Sequence, residues 1–259
     1  MNFGKSIAWS RASRQLARTT AVLAALLAAG CPRGGRVNRV ECRVMDTVAA
    51  VQFRGGTDGT ADSRVAQAAF DVFNRVEREF SAFDPGSVIR RTGRCSEFGR
   101  PCWDFAFRLK EQTGGAFDPG WKGGGLLDFG AVAKGFAVDL AAEKSRGAAC
   151  DALIDLGGNL KAVKGDWKVL VKDGGTFTLR EGEACATSAR YYRGEHIHDA
   201  RRGGAVTNGV HSVTVVHPNS AMVADGLSTA LFILGRAEGE AFVKRNYPEA
   251  KVIWIDARL

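Results

Sequence analysis

Residues 224–235, Ala-Asp-Gly-Leu-Ser-Thr-Ala-Leu-Phe-Ile-Leu-Gly, are nearly all apolar from Leu227 to Leu234. A helix with so little polar surface has no face to give to water, so the rest of the fold must surround it. Two polar groups stand at its mouth, Asp225 and, four residues on, Thr229. Residues four apart meet on one helix face. Asp225 as the helix N-cap would accept amide hydrogen bonds. The same pair also presents two hard oxygen donors, which suits Mg2+ or Ca2+. The spacing alone leaves both readings open.

The remaining chain supplies the surrounding elements. Alternating, β-rich sequence predicts a strand over residues 43–55. Residues 63–80 place Val65, Ala69, Val72, Phe73, Val76 and Phe80 at helical spacing, and residues 81–87 end that helix in a turn. A second helix is expected over 103–113, stopped by Gly114 and Gly115. Gly123, Gly124 and Gly125 read as a flexible linker, and a third helix is expected over 131–146. Residues 152–165 read as strand, Gly-Gly turn and strand. Short strands are expected over 167–172, 176–179, 211–216 and 250–255. Short strands separated by single helices indicate a mixed α+β domain.

At 259 residues the chain can bury a substantial core, as one large domain or two small ones. Charged residues make up 25% and hydrophobic ones 45%, which excludes a disordered chain. The net charge of +8 owes much to the N-terminus. Residues 1–30 hold Lys5, Arg11, Arg14 and Arg18 and no acid, so 32 basic residues face 28 acids in the remainder, a net of about +4. That balance gives no case for nucleic acid as a partner, which calls for a concentrated basic face.

The basic stretch precedes a short apolar one, Ala21 to Gly30, and then Cys31. This order reads as an export signal, too short to span a bilayer as a mature helix. Leu27-Ala28-Ala29-Gly30-Cys31 resembles a bacterial lipobox, in which the cysteine is lipidated. The organisation expected is a signal peptide over 1–30, a basic tether over 31–43 and one domain over 44–256. Arg33, Arg36, Arg39 and Arg43 in the tether suit either solvent or anionic lipid headgroups. The expected location is the periplasmic side of a bacterial membrane, anchored at Cys31. Five further cysteines enter an oxidising compartment, where disulfides are permitted, and Cys95 and Cys102 lie close in sequence.

Several motifs could carry chemistry. In residues 127–139 a carboxylate, Asp128, precedes Gly130 and a helix start, and Lys134 is followed at once by Gly135. Glycine inside a helix costs about 1 kcal/mol relative to alanine, so Gly135 points to close backbone approach or a ligand. Helix N-termini are natural seats for phosphate. Residues 113–120 form a Gly-rich turn holding Phe117 and Asp118. Residues 154–160 place Gly157-Gly158 after Asp155. Residues 196–204 gather His196, His198, Asp199, Arg201 and Arg202, a set that suits acid–base or phosphate work and equally a solvated polar loop.

Taken in order, Met45-Asp46-Thr47, residues 81–87, Gly114 to Pro119, Asp128 to Asp139, Asp155 to Asn159, Ala186-Thr187-Ser188, His196 to Gly203 and Ala224 to Gly235 resemble the FAD:protein FMN transferases, the ApbE family. The resemblance implies an α+β fold of mainly antiparallel sheets with helices packed around a flavin cleft. It implies that FAD is split at its pyrophosphate. The FMN half passes to a Thr or Ser hydroxyl of an exported redox-complex protein, and AMP is released. Alternative activities are FAD hydrolysis to FMN and AMP, or flavin binding by a non-catalytic lipoprotein. By the same matching, Mg2+ would be held by the Ala131 carbonyl, Asp225 and Thr229. FAD would contact Met45, Phe83, Ala116, Phe117, Asp118, Asp128, Lys134 and Ile197. His196, or a nearby carboxylate, would take the proton from the acceptor hydroxyl.

The chain departs from the family pattern. Asp46 replaces a usual glycine, Ala200-Arg201-Arg202 replaces Pro-Arg-Thr, and Ala189 follows Ala-Thr-Ser where glycine is common. The stretch between Pro119 and Leu127 lacks a few tens of residues, close to the expected flavin site.

Overall fold

The computed structural model describes residues 37–55, 59–190 and 197–257. The expected signal peptide, Cys31 and His196 lie outside the described residues. Among those described, no helix is long and apolar enough to cross a membrane.

One seven-stranded sheet organises the chain. Its strands in chain order are β1 (Val37–Val44), β2 (Thr47–Arg54), β3 (Asp151–Leu156), β4 (Asn159–Lys164), β7 (Ala184–Ala189), β10 (Val210–His217) and β11 (Lys251–Asp256). They lie side by side in that same order, every neighbour antiparallel. A hairpin of β5 (Trp167–Val171) and β6 (Gly175–Leu179) and a short pair, β8 (His198–Asp199) and β9 (Gly204–Ala205), stand outside it. Among the described residues the helices are α1 (Gly59–Phe80), α2 (Val88–Thr92), α3 (Arg100–Gln112), α4 (Ala133–Ser145), α5 (Ala221–Leu234) and α6 (Arg236–Asn246).

Period-two alternation sorts the strand residues between two cores. Ala152, Ile154 and Leu156 of β3 join the main core under the helices, whereas Leu153 joins a smaller one under the β5–β6 hairpin. Val213 and Val215 of β10 face the helices and Val216 faces the hairpin. The apolar helix α5 lies at the centre, against β7, β10 and α4, with Leu227, Ala230 and Leu231 fully buried. The α+β expectation holds.

Three local expectations are corrected. The predicted strand over 43–55 is a hairpin, turned at Met45 and Asp46 with φ of 51° and 56°. Positive φ at both central residues is the turn geometry that matches strand twist. The stretch expected as tether is strand from Val37 onward, because every residue of β1 pairs with β2, from Val37 opposite Arg54 to Val44 opposite Thr47. Gly123 to Gly125 are no loose linker. Their φ values are 68°, 62° and 74°, and the backbone bonds Gly123 N to Gly120 O (2.9 Å) and Leu126 N to Gly123 O (3.1 Å) make tight turns there. A further bond, Asp128 N to Pro119 O at 2.8 Å, closes the loop at its base.

Five cysteines beyond Cys31 are described, Cys42, Cys95, Cys102, Cys150 and Cys185, and each carries a free thiol.

Candidate active site

Helix α5 starts at Ala221, six residues before its apolar run opens at Leu227. Ser220 is its N-cap, with Oγ accepting from Val223 N at 3.2 Å. Asp225 is therefore not the cap of its own helix. It caps another one. Its Oδ2 accepts a hydrogen bond at 2.9 Å from the N–H of Gly135, in the first turn of α4. Val132, the residue before α4, contributes no side-chain cap, so Asp225 supplies an acceptor that the local sequence lacks.

The favour is returned. Asp139 of α4 accepts from Ala221 N (2.8 Å) and Met222 N (3.0 Å), the first two residues of α5, and from Ser220 Oγ (2.8 Å). Lys161 neutralises Asp139 at 2.7 Å and reaches Asn219 O. Such a crossing needs backbones in contact. A Cβ on Gly135 would lie 2.3 Å from Ala221 O, so glycine there serves close approach. Gly226 does the same for α3, where a Cβ would meet Phe105 at 2.7 Å and Leu109 at 3.1 Å.

Around Asp225 gather several oxygen and nitrogen groups. Lys134 Nζ is 3.9 Å from its Oδ2 and donates to Gly130 O at 2.6 Å. Thr229 Oγ1 lies 3.1 Å from Ser188 Oγ, which is 2.9 Å from Ser228 Oγ, and Ser228 donates to Asp225 O at 2.9 Å. Burial raises the Asp225 carboxyl above its ordinary range, opposed by the Lys134 ammonium and the Gly135 N–H. Val132 packs on Gly226, which brings the segment holding Ala131 to the start of α5. Among the described residues no three His, Cys, Asp or Glu side chains form a cluster able to hold a metal. One carboxylate with neutral hard oxygens is the donor set of Mg2+, which keeps several waters and binds through one or two carboxylates plus substrate phosphates. The Asp225 carboxylate and the Thr229 hydroxyl, one turn apart on α5, are oxygen donors of that kind.

The expected FAD contacts do not form one cluster. Asp128 and Phe83 share one region through Lys122, whereas Ile197 packs against the main core. Asp128 Oδ2 pairs with Lys122 at 2.8 Å, and the Lys122 ammonium lies 5.2 Å from the Phe83 ring centre. Ile197 precedes His198, whose ring stacks on Trp121. Asp118 pairs with Lys110 at 2.8 Å and accepts from Gly120 N. Ala116 and Phe117 are core residues, at 0% and 4% exposure, and Ala116 O accepts from Ala200 N at 3.4 Å. Their side chains are committed to packing. Met45 sits on the β1–β2 turn, with its N–H bonded to Glu77 Oε1 at 3.0 Å. A hollow of about 330 Å³ borders Lys110 and Gly115, beside the Asp118 turn. A larger one, about 470 Å³, is lined by Val37 to Val40, Gly59 and Asp62 and by none of the expected site residues.

The model of the ApbE family matches residues 121–254, which is 134 of the 259 residues. The chain belongs to the ApbE family. The matched region contains α4, α5, Asp139, Asp225 and Thr229. An FAD:protein FMN transferase of Rhodobacter capsulatus is 36% identical over 132 residues, 43% of this chain and 25% of that protein. One of Haemophilus influenzae is 31% identical over 142 residues, 46% of this chain and 41% of that protein. The aligned part is thus well under half the length of these relatives. Solved structures share the ApbE-family fold more completely. The flavin transferase ApbE of Vibrio cholerae superposes with a TM-score of 0.71 at 21% identity, covering 86% of this chain and 94% of that one. The ApbE protein of Thermotoga maritima gives 0.73 at 21% identity, covering 85% and 94%.

Within this family member, sequence reasoning missed Asp139, Ser188, Ser220, Trp121 and Lys122. Asp139 and Ser188 stood inside quoted motifs without a role. Ser220 was signalled as a hydroxyl residue just ahead of the apolar helix.

Proposed function

We propose that this chain transfers the FMN half of FAD to a Thr or Ser hydroxyl of a membrane redox-complex protein and releases AMP. The observation that carries the reading is the buried Asp225, capped onto the start of α4 beside Lys134 and the Thr229–Ser188–Ser228 hydroxyls, in a chain of the ApbE family. In the reaction the acceptor hydroxyl oxygen bonds to the FMN phosphorus, the pyrophosphate P–O bond breaks, and AMP leaves. Bound Mg2+ would supply charge neutralisation of the pyrophosphate and orient it for in-line attack.

The chain's own residues have separate tasks. Asp225, Thr229 and the Ala131 carbonyl would hold the ion. Lys134 adds positive charge at the first turn of α4, where the helix dipole also favours phosphate. His196 or a neighbouring carboxylate takes the acceptor proton. Export and lipidation at Cys31 would put the chain on the periplasmic side with its acceptor.

The test is AMP release from FAD and Mg2+, with and without an acceptor domain bearing a target threonine, beside Asp225→Ala and His196→Ala. Asp225-dependent AMP release together with covalent flavin on the acceptor supports transfer. AMP without covalent flavin means hydrolysis, and bound FAD without AMP release means a flavin-binding protein. Radiolabelled fatty acid on wild type but not on Cys31→Ala would support the anchor.

A further inference from the structure

Along β7, Ala184 and Ala186 join the main core, while Cys185 between them joins the core under the hairpin. Strand alternation puts Ser188 on the side of the two alanines, facing the helices. Helix α5 packs on this strand. Its Asp225, Ser228 and Thr229 stand three and four residues apart, so they share one helix face. Asp225 and Ser228 are buried, whereas Ser188 and Thr229 are half-buried, so the hydroxyls run from the core toward the surface.

Each hydroxyl has one proton to give and two lone pairs. Ser228 gives its proton to Asp225 O, which can only accept, at 2.9 Å. The 2.9 Å contact between Ser188 Oγ and Ser228 Oγ must then be donated by Ser188. That spends the Ser188 proton, so the 3.1 Å contact between Ser188 Oγ and Thr229 Oγ1 is donated by Thr229. The chain therefore runs one way, from Thr229 to Ser188 to Ser228 to the Asp225 carbonyl. A threonine inside a helix often turns its hydroxyl to the carbonyl four residues back. For Thr229 that carbonyl is Asp225 O. Ser228 takes it instead, and Thr229 reaches across to the strand.

We infer that Ser188 is a positioning residue for a hard divalent cation at Thr229. It draws the Thr229 proton to the strand and leaves both lone pairs of Oγ1 for the ion. A proton aimed at a cation repels it, so the direction of the chain decides whether Thr229 can be a ligand. This role rests on the Mg2+ site of the proposed function and deepens it, by naming the groups that turn a neutral hydroxyl into a donor.

The experiment titrates Mg2+ alone into the metal-free full chain by calorimetry, with metal-free melting temperatures measured beside it. Partners standing behind a metal ligand are worth about 10–100-fold in affinity, so Ser188→Ala should weaken Mg2+ by about tenfold or more. Ser188→Thr keeps the hydroxyl and suits a strand, so its affinity should return to that of wild type. Ser228→Ala leaves the contact between Ser188 and Thr229 in place. It removes the acceptor of the Ser188 proton, which is then free to turn onto Thr229 and drive that residue's own proton toward the ion. Its affinity should fall between those of wild type and Ser188→Ala. Alanine is well accommodated in a helix, so this variant keeps the test decisive if Ser188→Ala melts early. Wild-type affinity in Ser188→Ala overturns the inference. So does an equal loss in Ser188→Ala and Ser188→Thr, which would make the shape of the serine the cause rather than its hydroxyl. Ser228→Ala matching wild type overturns the one-way chain. Loss of Mg2+ in Thr229→Ala with none in Ser188→Ala would defeat the positioning role alone. Equal Mg2+ affinity in wild type and Thr229→Ala would defeat the metal assignment itself, and the positioning role with it.

Discussion

Asp139 and Asp225 cap each other's helices. Asp225 of α5 takes the Gly135 N–H of α4, and Asp139 of α4 takes the Ala221 and Met222 N–H groups of α5. Each carboxylate lies near the positive end of the partner helix, where the macrodipole favours it. The exchange fixes where α5 begins, and so where Asp225 and Thr229 stand relative to Lys134.

Asp139→Asn keeps one acceptor oxygen and loses charge toward two N–H donors, Ser220 Oγ and Lys161. A hydrogen bond to a charged group contributes about 1.5–3 kcal/mol, so a loss of at least about 1.5 kcal/mol is expected. Thermal unfolding should show it at about 2–4 °C per kcal/mol for a chain this size. A melting temperature equal to wild type would mean that α5 is held by packing alone.

Gly135→Ala should destabilise, although alanine in an ordinary helix position is favoured by about 1 kcal/mol. The added carbon would stand 2.3 Å from a backbone carbonyl, which cannot rotate away as a side chain can. Overpacking of this kind typically costs about 1–3 kcal/mol, and the displaced α4 would also draw its N–H from Asp225. Denaturant unfolding decides the sign, and a stabilised variant would contradict the close crossing.

The fold was legible where one element's pattern sufficed. The α1 spacing, the β3–β4 turn at Gly157 and Gly158 and the apolar α5 are local signals. Failures came where partners are distant or signals conflict. Asp139 and its α5 partners are 82 residues apart, so no local pattern gives that carboxylate a role. The Met45-Asp46 turn lacks glycine and asparagine, and the arginines of residues 33–43 masked the alternation of Val40, Cys42 and Val44. Three glycines made residues 123–125 look loose, but their positive φ is what turns allow glycine to supply. Helix α6, polar and interrupted by Gly239, offered no periodic stripe. Its glycine is explained by Trp254, 2.7 Å from where a Cβ would stand.

His217 should make stability fall as the solution is acidified. Its Nδ1 accepts from Ser220 N at 3.0 Å, just ahead of α5, so the ring is neutral with its proton on Nε2, toward Glu249 at 3.2 Å. Burial lowers its pKa below the usual 6.5, with Glu249 opposing. The unfolded chain therefore binds the proton more readily, and stability is lost as pH falls from the ordinary value through the folded one. Unfolding free energies between pH 8 and pH 5 should drop more steeply in wild type than in His217→Asn. Parallel curves would exclude this ring as a contributor.

Asp225 has the opposite sign, and that gives a test of the metal assignment that needs no turnover. Its folded pKa is raised above the ordinary 3.8, chiefly by burial. The folded state then holds the proton more tightly, so this residue's contribution to stability is lost as pH rises from the unfolded value through the folded one. At neutral pH without metal, Asp225→Asn should therefore be at least as stable as wild type, because the amide oxygen can still accept from Gly135. Below the ordinary carboxylate range the difference should vanish. Adding Mg2+ should raise the wild-type melting temperature, since a ligand that binds only the folded state stabilises it by mass action. Asp225→Asn should show little response to the ion. A variant stabilised by Mg2+ as strongly as wild type would remove Asp225 from the ion's ligands, whatever the enzyme then did with FAD.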